Sequence, residues 1–170
     1  MSEPVFDPDY WKRRLELARG IHQSVFLTTD EHWRRIEDKH RAILTKHVKP
    51  TDSVLDCGCG YGRMVALLPP GALYTGIDVS PALVDLAREM HSPSRYPVRT
   101  SYSDPMFMVC DLMHALPVRD YDWAIVCSMR RMVKQNVGTE AWDTIEANIR
   151  ARARKLLYLE YDENDEGSVE

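Results

Sequence analysis

Apolar and polar positions along this chain change period near residue 50. Before it, apolar residues recur at spacings of three and four, which predicts helices. The first helix opens at Asp7-Pro8, an acid at the cap followed by proline at the first helical position. It runs through Tyr10, Trp11, Leu15 and Leu17 and stops near Gly20. The second opens at Thr28-Thr29-Asp30-Glu31, where Thr28 with Glu31 matches a capping box. Trp33, Ile36, His40, Ile43 and Leu44 then form one stripe. After Lys49-Pro50-Thr51-Asp52 the pattern becomes short apolar runs separated by helical segments. Strands are predicted over 53–57, 72–77, 106–110, 122–127 and 155–160. Helices are predicted near 62–68, from Ser80-Pro81 to about Met90, and over 139–152; His91 to Asp104 and Ser128 to Asn136 read as loops. Strands alternating with helices imply an α/β fold, a doubly wound and mostly parallel sheet with right-handed crossovers.

The densest chemical signal is Val54-Leu55-Asp56-Cys57-Gly58-Cys59-Gly60-Tyr61-Gly62-Arg63. A strand runs into an acid and then into three glycines at alternate positions. Glycine lacks a Cβ and accepts positive φ, so such a turn lets the main chain approach a ligand closely. A second strand, Tyr74-Thr75-Gly76-Ile77-Asp78, ends in an acid about 20 residues on, the spacing at which a carboxylate can meet ribose hydroxyls. The dinucleotide fingerprint carries its third glycine one position later, where this chain has Arg63. A carboxylate ahead of the turn also suits a cationic amino group better than a pyrophosphate.

These residues resemble the class I S-adenosylmethionine (SAM) dependent methyltransferases, whose first strand and loop read hydrophobic-hydrophobic-acid-x-Gly-x-Gly-x-Gly. Two further landmarks follow in order. Asp111-Leu112 ends the run Met106 to Cys110, and Leu116-Pro117 through Asp122 leads into the fourth strand. The resemblance covers about residues 53 to 161 and implies a five-stranded sheet in the order 3-2-1-4-5, with SAM as cofactor. It implies a cofactor-binding set of Asp56, Gly58, Cys59, Gly60, Gly62, Asp78, Val79, Asp111, Leu112 and Cys127. Asp56 would meet the methionine amino group, Asp78 the ribose and Asp111 the adenine amino group; Val79 and Leu112 would sandwich the adenine. In small relatives an N-terminal helix folds over this site, so residues 1–50 are expected to form a helical lid on a Rossmann-like core, 51–161. Tyr10, Trp11, Arg14 and His22 are its candidate contacts. Candidates for a catalytic role are Tyr10, His22 and Arg130. The family's sheet continues with two more strands, the last antiparallel. The chain is therefore expected to be shortened at its C-terminus, leaving an exposed edge near Lys155–Glu160 that a second copy or the N-terminal helices could cover.

Composition narrows the partners. Of 170 residues, 44% are hydrophobic and 28% charged, ordinary for a single soluble domain. The formal net charge of −4 does not favour nucleic acid. No run of 18 apolar residues predicts a membrane span, and no secretory signal is visible, so a cytoplasmic location is expected. The four cysteines lack the second ligand pair of a zinc site, so no metal is expected. Residues 160–170 hold six acids and no base, and 162–170 are expected to be a solvated, disordered tail. Arg130, Arg131 and Lys134 could hold an acidic acceptor. The expected function is methyl transfer from SAM to a small molecule. The alternatives are a non-catalytic partner subunit that binds SAM or its demethylated product, and a nucleic-acid methyltransferase with an atypical acceptor loop.

Overall fold

The structure, a computed structural model, describes residues 8–18, 28–92, 104–114, 116–161 and 166–170. Two helices, α1 (Pro8–Leu17) and α2 (Asp30–His47), precede an alternating series. The strands are β1 (Ser53–Cys57), β2 (Leu73–Asp78), β3 (Met106–Val109), β4 (Tyr121–Cys127) and β5 (Ala153–Leu159). Between β1 and β2 lies a single 3-10 turn, Arg63–Ala66; α3 (Pro81–Met90) follows β2, and α4 (Met129–Asn136) and α5 (Thr139–Arg150) follow β4. The sheet order is β3-β2-β1-β4-β5-β6, with β1 to β5 parallel. The predicted order 3-2-1-4-5 therefore holds.

Side-chain alternation in these strands divides the core. Val54, Trp123, Ile125, Leu157 and Leu159 face one layer, with Leu44 of α2 and Val84 of α3. Leu55, Cys57, Ala124, Val126 and Leu156 face the other, against Trp142, Ile145 and Ile149 of α5. Strands buried on both faces read as continuous apolar runs, as parallel strands between helical layers should. Strand order reverses direction between β1 and β4, and the carboxyl ends of the strands at such a switch point form a crevice.

Three expectations are corrected. The helix cap of α2 is Thr29, whose side chain accepts from the His32 amide at 3.3 Å, rather than Thr28. Residues 129–136 form a helix, not a loop: Met129, Met132 and Val133 share one face by their i, i+3, i+4 spacing. The acidic tail does not simply fray. Residues 162–165 lie outside the described residues, but Ser168–Val169 form β6, antiparallel to β5. Glu170 and Leu156 exchange both backbone hydrogen bonds, at 2.8 and 3.0 Å. Gly167, at φ +68°, makes the return possible, because a Cβ there would lie 2.9 Å from Ile43 of α2. The Glu170 carboxylate meets Arg150 at 2.5 Å. Main-chain groups of the β5 edge are thus paired by residues 168–170 over Leu156 to Tyr158, within the stretch expected to lie open to a second copy.

Candidate functional site

The glycine turn is braced before it meets any ligand. The amides of Gly58 and Cys59 both donate to the Ile77 carbonyl at 2.9 Å, which ties the loop to the tip of β2. Gly58, Gly60 and Gly62 all take positive φ, at 74°, 54° and 80°. Their reasons differ. A Cβ on Gly58 would stand 3.3 Å from Met129 Sδ, at the crevice wall. A Cβ on Gly62 would strike the Phe107 ring at 2.7 and 2.8 Å. Gly62 therefore serves the packing of the 3-10 turn on β3.

Asp78 completes the turn. One carboxylate oxygen accepts from the Gly60 amide and the other from the Ser80 amide, both at 2.9 Å. Burial pushes its pKa up, and the backbone donors of Ser80, Gly60 and Val79 pull it down. Ser80 also caps α3, accepting from the Leu83 amide. Asp111 shapes the next strand end: Oδ1 accepts from the Met113 amide at 2.9 Å and Oδ2 lies 2.8 Å from His114 Nδ1.

These tips surround a cavity of about 280 Å³. Of the predicted cofactor set, Gly58, Gly60, Asp78, Val79, Asp111, Leu112 and Cys127 line it. Asp56 and Cys59 do not; they wall a smaller recess of about 20 Å³ beneath the turn, and Gly62 reaches neither. Asp56 Oδ2 accepts from the Tyr74 hydroxyl at 2.6 Å. Burial raises its pKa to about 6, against the pull of that bond and of the Arg63 charge. Cys59 packs over Gly76, where any Cβ would lie 2.9 Å from its sulfur. Both thiols of the Cys57-x-Cys59 pair are buried and pushed well up by desolvation. Among the described residues no cluster of three or more His, Cys, Asp or Glu side chains could hold a metal ion.

The remaining wall comes mainly from residues 128–136, where Arg130, Arg131 and Lys134 were the expected acceptor contacts; of these Arg131 lines the cavity. From α4, Met129, Met132 and Val133 supply an apolar face, with Arg131 and Gln135 on the same helix. Ser128 turns the chain from β4 into α4 at φ +54°, the one described non-glycine residue with positive φ. For a residue with a Cβ this conformation costs about 1–2 kcal/mol. Three hydrogen bonds hold it: its amide donates to the Leu159 carbonyl, and its hydroxyl donates to Glu160 Oε2 and accepts from the Tyr161 amide.

Of the lid candidates, α1 packs against α3, and Trp11 lines the cavity. Tyr10 does not; its ring stands edge-on to Trp11 at 5.0 Å and its hydroxyl accepts from Arg14 at 3.2 Å. Arg130 is also turned elsewhere, 4.2 Å above the Tyr158 ring and 3.7 Å from Glu170. His22 lies outside the described residues.

The cavity fits a SAM-sized ligand on two observations. The turn beside it carries glycine at a position where a side chain would crowd the Met129 wall. A carboxylate, Asp78, and the apolar side chains of Val79, Leu83 and Leu112 line the same space.

Known proteins point the same way. The chain resembles in fold the magnesium protoporphyrin IX methyltransferase of Synechocystis PCC 6803 crystallised with SAM, at 22% identity and TM-score 0.58, over 88% of this chain and 68% of that one. The PH0226 protein of Pyrococcus horikoshii OT3 matches at 20% identity and TM-score 0.64, over 86% and 64%. The plantazolicin methyltransferase BpumL, in complex with a desmethyl plantazolicin analogue and S-adenosylhomocysteine, matches at 15% identity and TM-score 0.54, over 91% and 51%. The chain therefore spans between half and about two thirds of the length of these structures. No curated protein matches it. The model of the methyltransferase-domain family matches residues 54–155, which run from the first residues of β1 into β5 and so take in the glycine turn, both strand-tip acids and α4. That match takes in more than half of the chain, and the protein belongs to the methyltransferase-domain family, with the class I fold of the SAM-dependent enzymes.

Proposed function

We propose that this protein transfers a methyl group from SAM to a small-molecule acceptor within the 280 Å³ cavity. The observation that carries this reading is the meeting of two unlike walls in one space. The glycine turn, Asp78 and the Asp111–Leu112 tip line it as one wall, and Trp11 and the apolar face of α4 as another. The first wall suits a nucleoside and the second a largely apolar acceptor. Bound SAM supplies an activated methyl group on a sulfonium, whose leaving group needs no protonation. The protein's own work is then positioning: holding donor and acceptor aligned can lower such a barrier by ~7–11 kcal/mol.

Each residue has a role in that reading. Asp78 accepts from the ribose hydroxyls with the lone pairs its backbone partners leave. Val79 and Leu112 flank the adenine, and Asp111 accepts from its amino group. Gly58 and Gly60 keep the floor bare. Arg131, on the acceptor wall, supplies a cation for a carboxylate or phosphate on the acceptor. A small acceptor suits a cavity of about 280 Å³ that Trp11 and α4 help to line. Among the described residues no helix is long and apolar enough to cross a membrane.

The test is a pair of measurements. Calorimetry should show binding of S-adenosylhomocysteine. Incubation with SAM carrying a radiolabelled methyl group and a metabolite extract should then transfer label to a low-mass fraction. Binding without transfer to any fraction would favour a non-catalytic SAM-binding subunit. Transfer to RNA or DNA alone would favour the nucleic-acid reading.

A further inference from the structure

The turn from β4 into α4 needs positive φ, which glycine supplies without strain, yet the chain places Ser128 there. A strained residue at the edge of a site points to a use for its side chain. The Ser128 hydroxyl donates its hydrogen to Glu160 Oε2 at 2.8 Å and accepts from the Tyr161 amide at 2.9 Å. A hydroxyl oxygen carries two lone pairs, so one remains after the Tyr161 amide is served. Ser128 lines the main cavity, together with Met129 and Tyr161. Glu160, half-buried, is not among the residues that line it. Its carboxylate therefore reaches the cavity through Ser128 Oγ.

Among the described residues that line the cavity, the other ionisable groups are poorly placed to take a proton from an acceptor. Asp78 and Asp111 belong to the nucleoside wall and already accept from main-chain amides. Burial holds the thiols of Cys110 and Cys127 and the phenol of Tyr161 in their protonated forms. Of the expected catalytic candidates, Tyr10 pairs with Arg14 and Arg130 lies over the Tyr158 ring. Ser128 with Glu160 is thus the pair in which a hydroxyl at the cavity wall is backed directly by a carboxylate.

We propose, on the reading that SAM and a small acceptor share the cavity, that Ser128 Oγ accepts the hydrogen of a hydroxyl on the acceptor and relays its own proton to Glu160. As the acceptor oxygen bonds to the methyl carbon, the methyl–sulfonium bond breaks and its electron pair stays on sulfur, giving S-adenosylhomocysteine. The acceptor's O–H bond breaks, its proton passes to Ser128 Oγ, and the serine proton passes to Glu160 Oε2. The neutral acid then returns its proton to water. A carboxylate or phosphate oxygen has no proton to lose and would leave the spare lone pair of Ser128 without a donor. An amine attacks with its own lone pair, and the ammonium it forms sheds a proton afterwards. A hydroxyl becomes strongly acidic only while its oxygen takes the methyl group, so it needs a base at that moment. The body that carries this hydroxyl is aromatic, matching Trp11 and the thioethers of Met129 and Met132 along the same cavity.

The substrate class is tested by incubating wild type with a metabolite extract and SAM whose methyl carbon is isotopically labelled. The carbon NMR shift of the transferred methyl separates oxygen, nitrogen and sulfur linkages, and alkali separates ethers from esters. The label should appear as an alkali-stable O-methyl group. Ser128→Gly keeps the turn and removes the hydroxyl; transfer should fall about a hundredfold or more, while calorimetric affinity for S-adenosylhomocysteine stays unchanged. Glu160→Gln keeps an oxygen that accepts from Ser128 but cannot take the proton. With the acceptor purified from the labelled fraction, its loss should fall on kcat, again about a hundredfold, with KM unchanged. Calorimetric binding of that acceptor to the S-adenosylhomocysteine complex should match wild type. Circular dichroism melting establishes that both variants are folded; if Glu160→Gln does not fold, Ser128→Gly decides alone. An ester, an N-methyl or an S-methyl product overturns the relay and leaves methyl transfer standing. Wild-type rates in Ser128→Gly overturn it too, since the hydroxyl then serves only the turn. So does a variant that loses S-adenosylhomocysteine binding along with its activity. Label absent from every fraction removes the transfer function and the relay together.

Discussion

Asp56 and Asp78 sit on adjacent parallel strands, both acids near a strand tip, both almost fully buried. Their surroundings differ. Asp78 is the last residue of β2, so main-chain donors of the next turn lie within reach: Gly60 and Ser80 each give it an amide hydrogen. Asp56 lies one residue inside β1, flanked in register by Gly76 of β2 and Ile125 of β4. There the neighbouring amides belong to the sheet ladder, and the donor it has is the Tyr74 hydroxyl. A difference of one residue in depth makes one carboxylate a brace for the loop and leaves the other with a pKa raised to about 6.

The comparison breaks most visibly at the braced acid. Asp78→Ala should weaken S-adenosylhomocysteine binding tenfold or more, because the ribose partner is lost. It should also cost about 2–4 kcal/mol in urea denaturation, since two buried amides lose their acceptor. Unchanged calorimetric affinity would remove Asp78 from the ribose. Asp56→Asn probes the other acid through pH. The folded pKa of Asp56 is raised above its unfolded value, so the native state binds more protons between pH 4 and 6. Stability from this group is present below about pH 4 and is lost as pH rises through about 6. Wild type should therefore lose up to ~3 kcal/mol relative to the asparagine variant across that window. A pH-independent difference between the two denaturation series would contradict the buried-acid account.

Smaller effects sharpen the contrast. Tyr74→Phe removes the hydroxyl donor and should destabilise the protein by about 1–2 kcal/mol at pH 8, with less effect at pH 4, where Asp56 is protonated. Equal losses at both pH values would mean that the hydroxyl does not serve the ionised carboxylate. Affinity for S-adenosylhomocysteine should rise several-fold from pH 5 to 7 as Asp56 ionises to meet the ligand ammonium. The same titration of Asp56→Asn should be flat, and a parallel rise in the variant would assign the dependence to another group.

How far these features could be read in advance depended on whether their cause was local. The two acids, the three glycines and their spacing were legible, because a turn that needs positive φ must write glycine into the chain at that point. That Gly62 answers to the Phe107 ring rather than to a ligand was not legible, since Phe107 is distant in sequence. The α4 wall was partly legible. Met129, Met132 and Val133 carry helical spacing, but the basic and amide residues between them resemble a loop. The turn into the helix is also made by Ser128, a residue that does not announce positive φ. Its conformation depends on Glu160 and Tyr161, more than thirty residues later.

By itself the sequence determined the alternation of strands and helices, the parallel five-strand order that the family resemblance implies, and the position of the crevice. Those follow from periodicity and turn chemistry, which act between near neighbours. Tertiary structure alone decided that Asp56 faces a recess, that Arg63 is buried there between Trp33 and Tyr161, and that the acidic end returns as β6. These outcomes depend on which distant groups close around a charge or a strand edge. Burial and hydrogen bonding of that kind arise only when residues far apart along the chain come into contact.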